Sequence, residues 1–278
     1  MNMVDTPKFL VATDLDGTLL DHYTYSWQAA KPSIDTLRAS GAHIVINTSK
    51  TFAEVIELQQ ALDLNAPFIV ENGSAIYTPK EIATRAYQTF DDEYSRIVLG
   101  AERAQVVAKV YELRATHNWK FEGYNDWDVG KVIEHTGLDE ASANKSLQRQ
   151  FSEPLIWRDS DENYAKFCDA IRAAGFRIIR GGRFIHILGQ SNKGSSLLTL
   201  KELSNTEEQE TVLICLGDSY NDLDMLEIAD VPVFVRSPVH DFPPHKCINT
   251  PLFTDAFGPK GWHEAITQIV NTHSKTNY

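Results

Sequence analysis

The chain is poor in cysteine, poor in positive charge and without any long apolar run, and each shortage closes off a class of protein. Its three cysteines, Cys168, Cys215 and Cys247, lie far apart, odd in number and without paired spacing. That pattern excludes a disulfide framework or a zinc-binding arrangement and leaves reduced core thiols. No apolar run approaches the roughly 18 residues that a membrane-spanning helix needs, and no basic stretch is followed by an apolar segment near the start. No membrane association and a cytoplasmic location are therefore expected. Lysine and arginine number 26 against 38 acidic residues, a formal charge of −12, which disfavours nucleic acid as a partner. The same field repels a phosphorylated ligand, so binding one requires concentrated local charge from a metal ion and a few basic side chains. Internal repeats, low-complexity tracts and long flexible linkers are also missing.

What remains is the composition of an ordinary globular protein, 42% hydrophobic and 23% charged over 278 residues, enough to fold without a staple and long enough to favour two domains. Short apolar runs at 9–13, 43–47 and 67–70 each stop at polar residues and read as buried strands. Between the first two, Pro32 and Gly41 mark a helix start and stop. Thr51 and Glu54 have capping-box spacing ahead of Val55, Leu58 and Leu62. The alternation returns late, with a helix at 195–203 and strands at 211–216 and 231–235. The fold class predicted is α/β, a Rossmann-like parallel-sheet core with an inserted α+β domain. The core takes residues 1–85 and 189–278, and the insertion takes 86–188, with strands near 94–100, 154–157, 176–180 and 184–188 and helices near 102–116, 140–150 and 162–174. In open parallel sheets ligands bind beyond the carboxyl ends of the strands.

The polar clusters of this chain sit at those ends. Asp14-Leu15-Asp16-Gly17-Thr18-Leu19 follows the first strand. Residues two apart on an extended segment point the same way, so both carboxylates can face one ligand while Leu15 turns into the core. One carboxylate can accept a phosphoryl group and the other can move the proton of the leaving alkoxide and of water. Taken alone, the same residues also suit a plain turn. After the second strand, Thr48 and Ser49 offer hydroxyls and helix-start amides to phosphate oxygens. Lys193, just before a helix, could reach the same phosphate. Gly217-Asp218-Ser219-Tyr220-Asn221-Asp222 follows another apolar strand with hard oxygen donors suited to Mg²⁺.

Asp14 to Leu19, Thr48, Lys193 and Gly217 to Asp222 together resemble the four ordered motifs of the haloacid dehalogenase superfamily of phosphohydrolases. The resemblance implies that Asp14 is phosphorylated, Asp16 is the acid and base, and Thr48 and Lys193 steady the transferring group, with Ser49 and Asn221 on the phosphate. It implies Mg²⁺ held by Asp14, Asp16, Asp218 and Asp222. The insertion is similar in position to the large cap of sugar phosphatases. Glu71-Asn72-Gly73, Thr136-Gly137-Leu138, Phe151-Ser152-Glu153-Pro154 and Gly181-Gly182-Arg183-Phe184-Ile185-His186 resemble mannosyl-3-phosphoglycerate phosphatases, which implies a phosphorylated sugar derivative as small-molecule substrate and mannosylglycerate plus phosphate as products. Asn192 stands where that family is expected to carry Asp. A glyceryl carboxylate needs a cationic partner, for which Arg183 is the candidate, with Glu71, Asn72, Glu153 and His186 as further substrate contacts. A broader sugar-phosphate phosphatase, a sugar phosphomutase and a non-catalytic sugar-phosphate sensor are the alternatives. The complete acidic set argues against the sensor, since a pure binder gains nothing from carboxylates facing an anion.

Overall fold

A computed structural model describes residues 8–180, 184–203, 211–246 and 248–275. The first stretch holds β1 (Lys8–Thr13), α1 (Lys31–Ala39), β2 (His43–Ile46), α2 (Phe52–Ala61), β3 (Phe68–Val70) and β4 (Ala75–Pro79). It continues through β5 (Gln88–Thr89), β6 (Tyr94–Val98), α3 (Arg103–His117), β7 (Phe121–Gly123), α4 (Val129–Thr136) and α5 (Glu140–Ser146). Then come β8 (Ser152–Trp157), α6 (Asp161–Ala173), β9 (Arg177–Arg180), β10 (Ile185–Leu188) and α7 (Lys193–Leu203). The chain closes with β11 (Thr211–Gly217), α8 (Leu223–Leu226), β12 (Val231–Arg236), β13 (Leu252–Phe257) and α9 (Gly258–Lys275).

These elements form two compact units, Met1–Thr48 with Lys193–Tyr278, and Ser49–Asn192. The first is built on one sheet in the order β13-β12-β11-β1-β2, all pairs parallel. Its central strands β1 and β11 are continuous apolar runs because helices cover both faces of such a sheet. Val11, Ala12, Ile214, Cys215 and Leu216 are all inaccessible to solvent. Helix α9 packs on this sheet through Trp262, which is fully buried and donates its indole N–H to Thr13 Oγ1 at 3.1 Å. Its opening Gly258-Pro259-Lys260-Gly261 conceals the helix from a reading by period, since glycine and proline there interrupt the pattern.

The second unit holds two antiparallel sheets, β7-β8-β10-β9 and β3-β4-β6-β5. The division falls at 48/49 and 192/193. The reason lies in β3, which pairs antiparallel with β4 instead of extending the parallel alternation. Glu71, Asn72 and Gly73 take left-handed φ values of 47°, 57° and 94°, and three such residues in succession reverse the chain into a hairpin. Helix α2 carries the expected capping box, Glu54 N–H to Thr51 Oγ1 at 3.2 Å and Thr51 N–H to Glu54 Oε2 at 2.8 Å. Phe52 from this helix joins Phe68, Tyr77, Phe90 and Tyr94 in an aromatic cluster against the second sheet. Another core of the unit gathers Val106, Val110, Trp119, Phe121, Leu155, Phe167, Ile171 and Ile187.

The helix expected over 140–150 ends at Ser146. The Glu71 carboxylate stops it by taking the backbone N–H groups of Gln150 and Phe151 at 2.8 and 3.1 Å and the Ser152 hydroxyl at 2.6 Å. Amides that would have pointed along a helix axis are spent on a side chain of the β3–β4 turn. One buried carboxylate thereby ties the two sheets of this unit together.

Candidate active site

Parallel pairing of β1 with β11 delivers two carboxylates to one edge of the sheet. Asp14 follows β1, Asp218 follows β11, and the Asp14 N–H donates to Leu216 O at 3.0 Å. Leu15 is wholly buried, Asp14 is nearly so and Asp16 is half-buried, which matches the alternation of an extended segment. Gly17 then turns the chain at φ +80°. A β-carbon there would meet Asp218 Oδ2 at 2.7 Å, so glycine serves both the turn and the approach of the second carboxylate.

Lys193 opens α7, and its placement is fixed by Asn47 Nδ2 donating to the Lys193 carbonyl at 2.9 Å. Its ammonium donates to Asp14 Oδ1 and Asp222 Oδ1, both at 2.6 Å, with all three side chains buried. Asp222 is held from its other oxygen, which accepts the N–H groups of Asp218 and Ser219 at 3.1 and 3.0 Å. Gly217 permits this, because a β-carbon there would collide with the side chain of Asp222. Asp218 accepts from Thr18 Oγ1 at 3.3 Å and pairs with His240 Nε2 at 3.2 Å.

The electrostatics follow from crowding. Burial pushes the Asp14 carboxyl well above the usual carboxylate range; Lys193 opposes that, while Asp222 and Asp218 add to it. Burial alone would lower Lys193, but Asp14 and Asp222 outweigh it and hold the ammonium above its ordinary value. Burial likewise raises Asp218, with His240 working the other way. Ligand atoms of Asp14, Asp218 and Asp222 all lie within 4.8 Å of one another. Three buried carboxylates thus face one lysine, and a cation of hard-oxygen preference would return Asp14 to its ionised form. The donor set fits a divalent metal, with Asp14 and Asp218 the accessible carboxylates and Asp222 already engaged on both oxygens.

Asp14, Asp16, Lys193, Asp218, Asn221 and Asp222 all belong to the first unit, as does Thr48, a buried residue just past β2. Ser49 opens the second unit, where its carbonyl accepts from Arg149 at 3.0 Å. Asn221 accepts a short hydrogen bond from the Ser219 hydroxyl. Among the residues expected to contact the organic part of a substrate, Glu71 is buried and spent on residues 150–152. Glu153 is also fully buried and accepts from Arg103, Tyr111 and the Asn125 N–H. Both carboxylates organise the protein from within. Asn72 is buried in the β3–β4 turn, His186 is buried on β10, and Arg183 lies outside the described residues.

Two contacts at this site carry no sequence signal. Thr18 and His240 both reach Asp218. Thr18 reads as part of a turn, and His240 sits in an irregular stretch after β12 where a lone histidine has no spacing to mark it.

Residues 11–238 match the family model of haloacid dehalogenase-like hydrolases. The chain belongs to that family, and its activity class is phosphoric monoester hydrolase. It is 34% identical to the glucosyl-3-phosphoglycerate/mannosyl-3-phosphoglycerate phosphatase of Methanococcoides burtonii, covering 96% of this chain and 99% of the relative. The protein of the same description from Persephonella marina is 33% identical, with 94% and 97% covered. Among solved structures, a haloacid dehalogenase-like hydrolase from Bacteroides thetaiotaomicron superposes with a TM-score of 0.65 at 20% identity, covering 94% of this chain and 99% of that one. That likeness speaks to the fold. Among the described residues no helix is long and apolar enough to cross a membrane.

Proposed function

We propose that the chain is a Mg²⁺-dependent phosphatase that hydrolyses mannosyl- or glucosyl-3-phosphoglycerate to the hexosylglycerate and phosphate. The observation that carries this reading is the Lys193 ammonium held between buried Asp14 and Asp222. A carboxylate can attack a phosphate anion only where cations offset both charges. The substrate class rests on the two relatives, each matched over nearly its whole length and each described as acting on both hexosyl phosphoglycerates.

In this reading an Asp14 oxygen bonds to phosphorus as the bond from phosphorus to the glyceryl oxygen breaks. Asp16, half-buried and so open to solvent on one side, gives its proton to that departing oxygen. It then takes a proton from the water that attacks the aspartyl phosphate, and Asp14 is released with inorganic phosphate. Lys193 opposes the effect of burial on Asp14, favouring its ionised form beside the metal, and stays charged because Asp14 and Asp222 both face it. Thr48, Ser49 and Asn221 offer donors to the phosphoryl oxygens. Mg²⁺, held by Asp14, Asp218 and the Asp16 carbonyl with Asp222 in support, supplies the charge that stabilises the transferring group. The unit 49–192 is the specificity unit, recognising the sugar and glyceryl parts.

The test is phosphate release from mannosyl- and glucosyl-3-phosphoglycerate with Mg²⁺, run beside Asp14→Asn and Asp16→Ala. Asp14→Asn should be inactive and Asp16→Ala severely impaired. Near-normal turnover by Asp14→Asn would reject the nucleophile, and release from simple hexose phosphates alone would reject the substrate.

A further inference from the structure

The unit 49–192 contains a cleft of about 560 Å³ that no part of the phosphoryl-transfer chemistry uses. Such a volume is ordinary for a small-molecule site. One wall is the first turns of α3 and the residue before it, with Glu102, Arg103, Val107 and Ala108; the other carries Asn125, Arg149 and Gln150. The two arginines differ in what they face. Arg103 is committed, with Nε and Nη2 both donating to Glu153 Oε2 at 3.1 and 2.6 Å.

Arg149 has no such partner. Its Nη1 donates to two neutral oxygens, the Ser49 carbonyl at 3.0 Å and Ser152 Oγ at 3.2 Å. Its guanidinium stands 5.1 Å from the centre of the Tyr124 ring. Nε is buried and makes no hydrogen bond, and among the described residues no carboxylate lies within ion-pair distance of the group. Glu102 lies exposed at the α3 wall of the cleft, and the two buried carboxylates nearby are saturated elsewhere. Glu71 serves Gln150, Phe151 and Ser152, and Glu153 serves Arg103, Tyr111 and Asn125. A half-buried guanidinium held by neutral acceptors is costly unless an anion completes it.

With Nη1 occupied and Nε closed off from solvent, Nη2 is the donor left to the cleft, where its N–H can meet a carboxylate oxygen in a charge-assisted hydrogen bond. The Gln150 side-chain oxygen is taken by Arg96, which leaves its amide N–H₂ as the donor that this residue brings to the cleft it lines. Val107 and Ala108 supply an apolar flank. Glu71 fixes the backbone on the carboxyl side of Arg149, so the guanidinium is presented by a stiff segment.

We propose that this cleft binds the carboxylate of a small hydroxy acid through Nη2 of Arg149, with Gln150 and Asn125 on its hydroxyl groups. On the function proposed above, on which the identity of the acid rests, that group is the glyceryl carboxylate. Arg149 then fills the role the sequence suggested for Arg183.

Binding of D-glycerate to the full chain, followed by calorimetry, tests the cleft independently of any turnover. Wild type should bind. Arg149→Gln, and Ala108→Glu, which places a negative charge on the exposed flank without touching the contacts of Arg149, should each weaken binding by roughly tenfold or more. Equal binding by wild type and both variants, or none by wild type, overturns the proposal. Inorganic phosphate competing as well as glycerate would also overturn it, since the site would then read charge alone. Kinetics separate substrate from free acid. If the cleft reads substrate, the kcat/KM preference for hexosyl-3-phosphoglycerate over the analogue with the carboxylate reduced to an alcohol should collapse in both variants. An unchanged preference would overturn its assignment to substrate. Failure of wild type to hydrolyse any phosphoglycerate would sink the function reading while the glycerate measurement still judged the cleft.

Discussion

Gly17 and Asp218 are packed so closely that a methyl group on the first would lie 2.7 Å from a carboxylate oxygen of the second. The turn after β1 and the acidic group after β11 therefore constrain each other. Gly17→Ala adds backbone strain at φ +80°, about 1–2 kcal/mol, and displaces Asp218 as well. We expect kcat to fall by about 100-fold and the Mg²⁺ concentration for half activation to rise, with only a modest drop in melting temperature. A variant of normal kcat would show that the Asp218 position is not critical.

Lys193 answers two buried carboxylates at once. Lys193→Met leaves Asp14 and Asp222 without their ammonium, and loss of one partner from a buried ion pair costs about 3–5 kcal/mol. Thermal melting in chelator should show the loss, and Mg²⁺ should restore more stability to the variant than to wild type, because it supplies the missing charge. Turnover should not return with stability. Equal Mg²⁺ responses of the two proteins would argue against a shared charge balance.

His240 provides a pH signature in metal-free protein. Its hydrogen bond to Asp218 raises the imidazole above its ordinary value of 6.5. A histidine raised on folding contributes stability that is complete below pH 6.5, provided Asp218 is ionised, and is lost as pH rises through the higher folded value. The stability difference between wild type and His240→Ala should shrink across that window when measured by denaturant unfolding in chelator. A difference that stays constant across it would mean that the ion pair does not form in solution.

Glu71 is predicted to be a structural brace. Glu71→Gln keeps its size and removes the charge that accepts from Gln150, Phe151 and Ser152, at a cost of about 1–3 kcal/mol. Amide hydrogen exchange should speed up at Gln150 and Phe151 more than elsewhere in the unit. Protection unchanged at those two amides would remove Glu71 from this role.

Much of the first unit was legible from the chain because its signals are local. An apolar run that stops at Asp14, a second that ends before Asp218, and glycines at 17 and 217 announce strand ends with tight exits. The α2 capping box could be read from two residues three apart. The second unit was less legible. Glu71 looked like a ligand contact because a carboxylate beside Asn-Gly sits where loops carry function. Its actual partners lie some 80 residues away in sequence, and no local pattern encodes them. The same contact ended the helix expected to run to 150.

By itself, the sequence determined which chemistry was possible: carboxylates at strand ends, one lysine before a helix, and too little positive charge for a polyanion partner. Those properties depend on residue type and spacing, which the chain carries openly. Tertiary structure alone decided which carboxylates were free to act. It gave Lys193 to Asp14 and Asp222 together, closed Glu71 and Glu153 into internal networks, brought His240 to Asp218 and left Arg149 without a counterion. Partnership between charges depends on distances of a few ångströms between residues remote in the chain, and folding is what sets those distances.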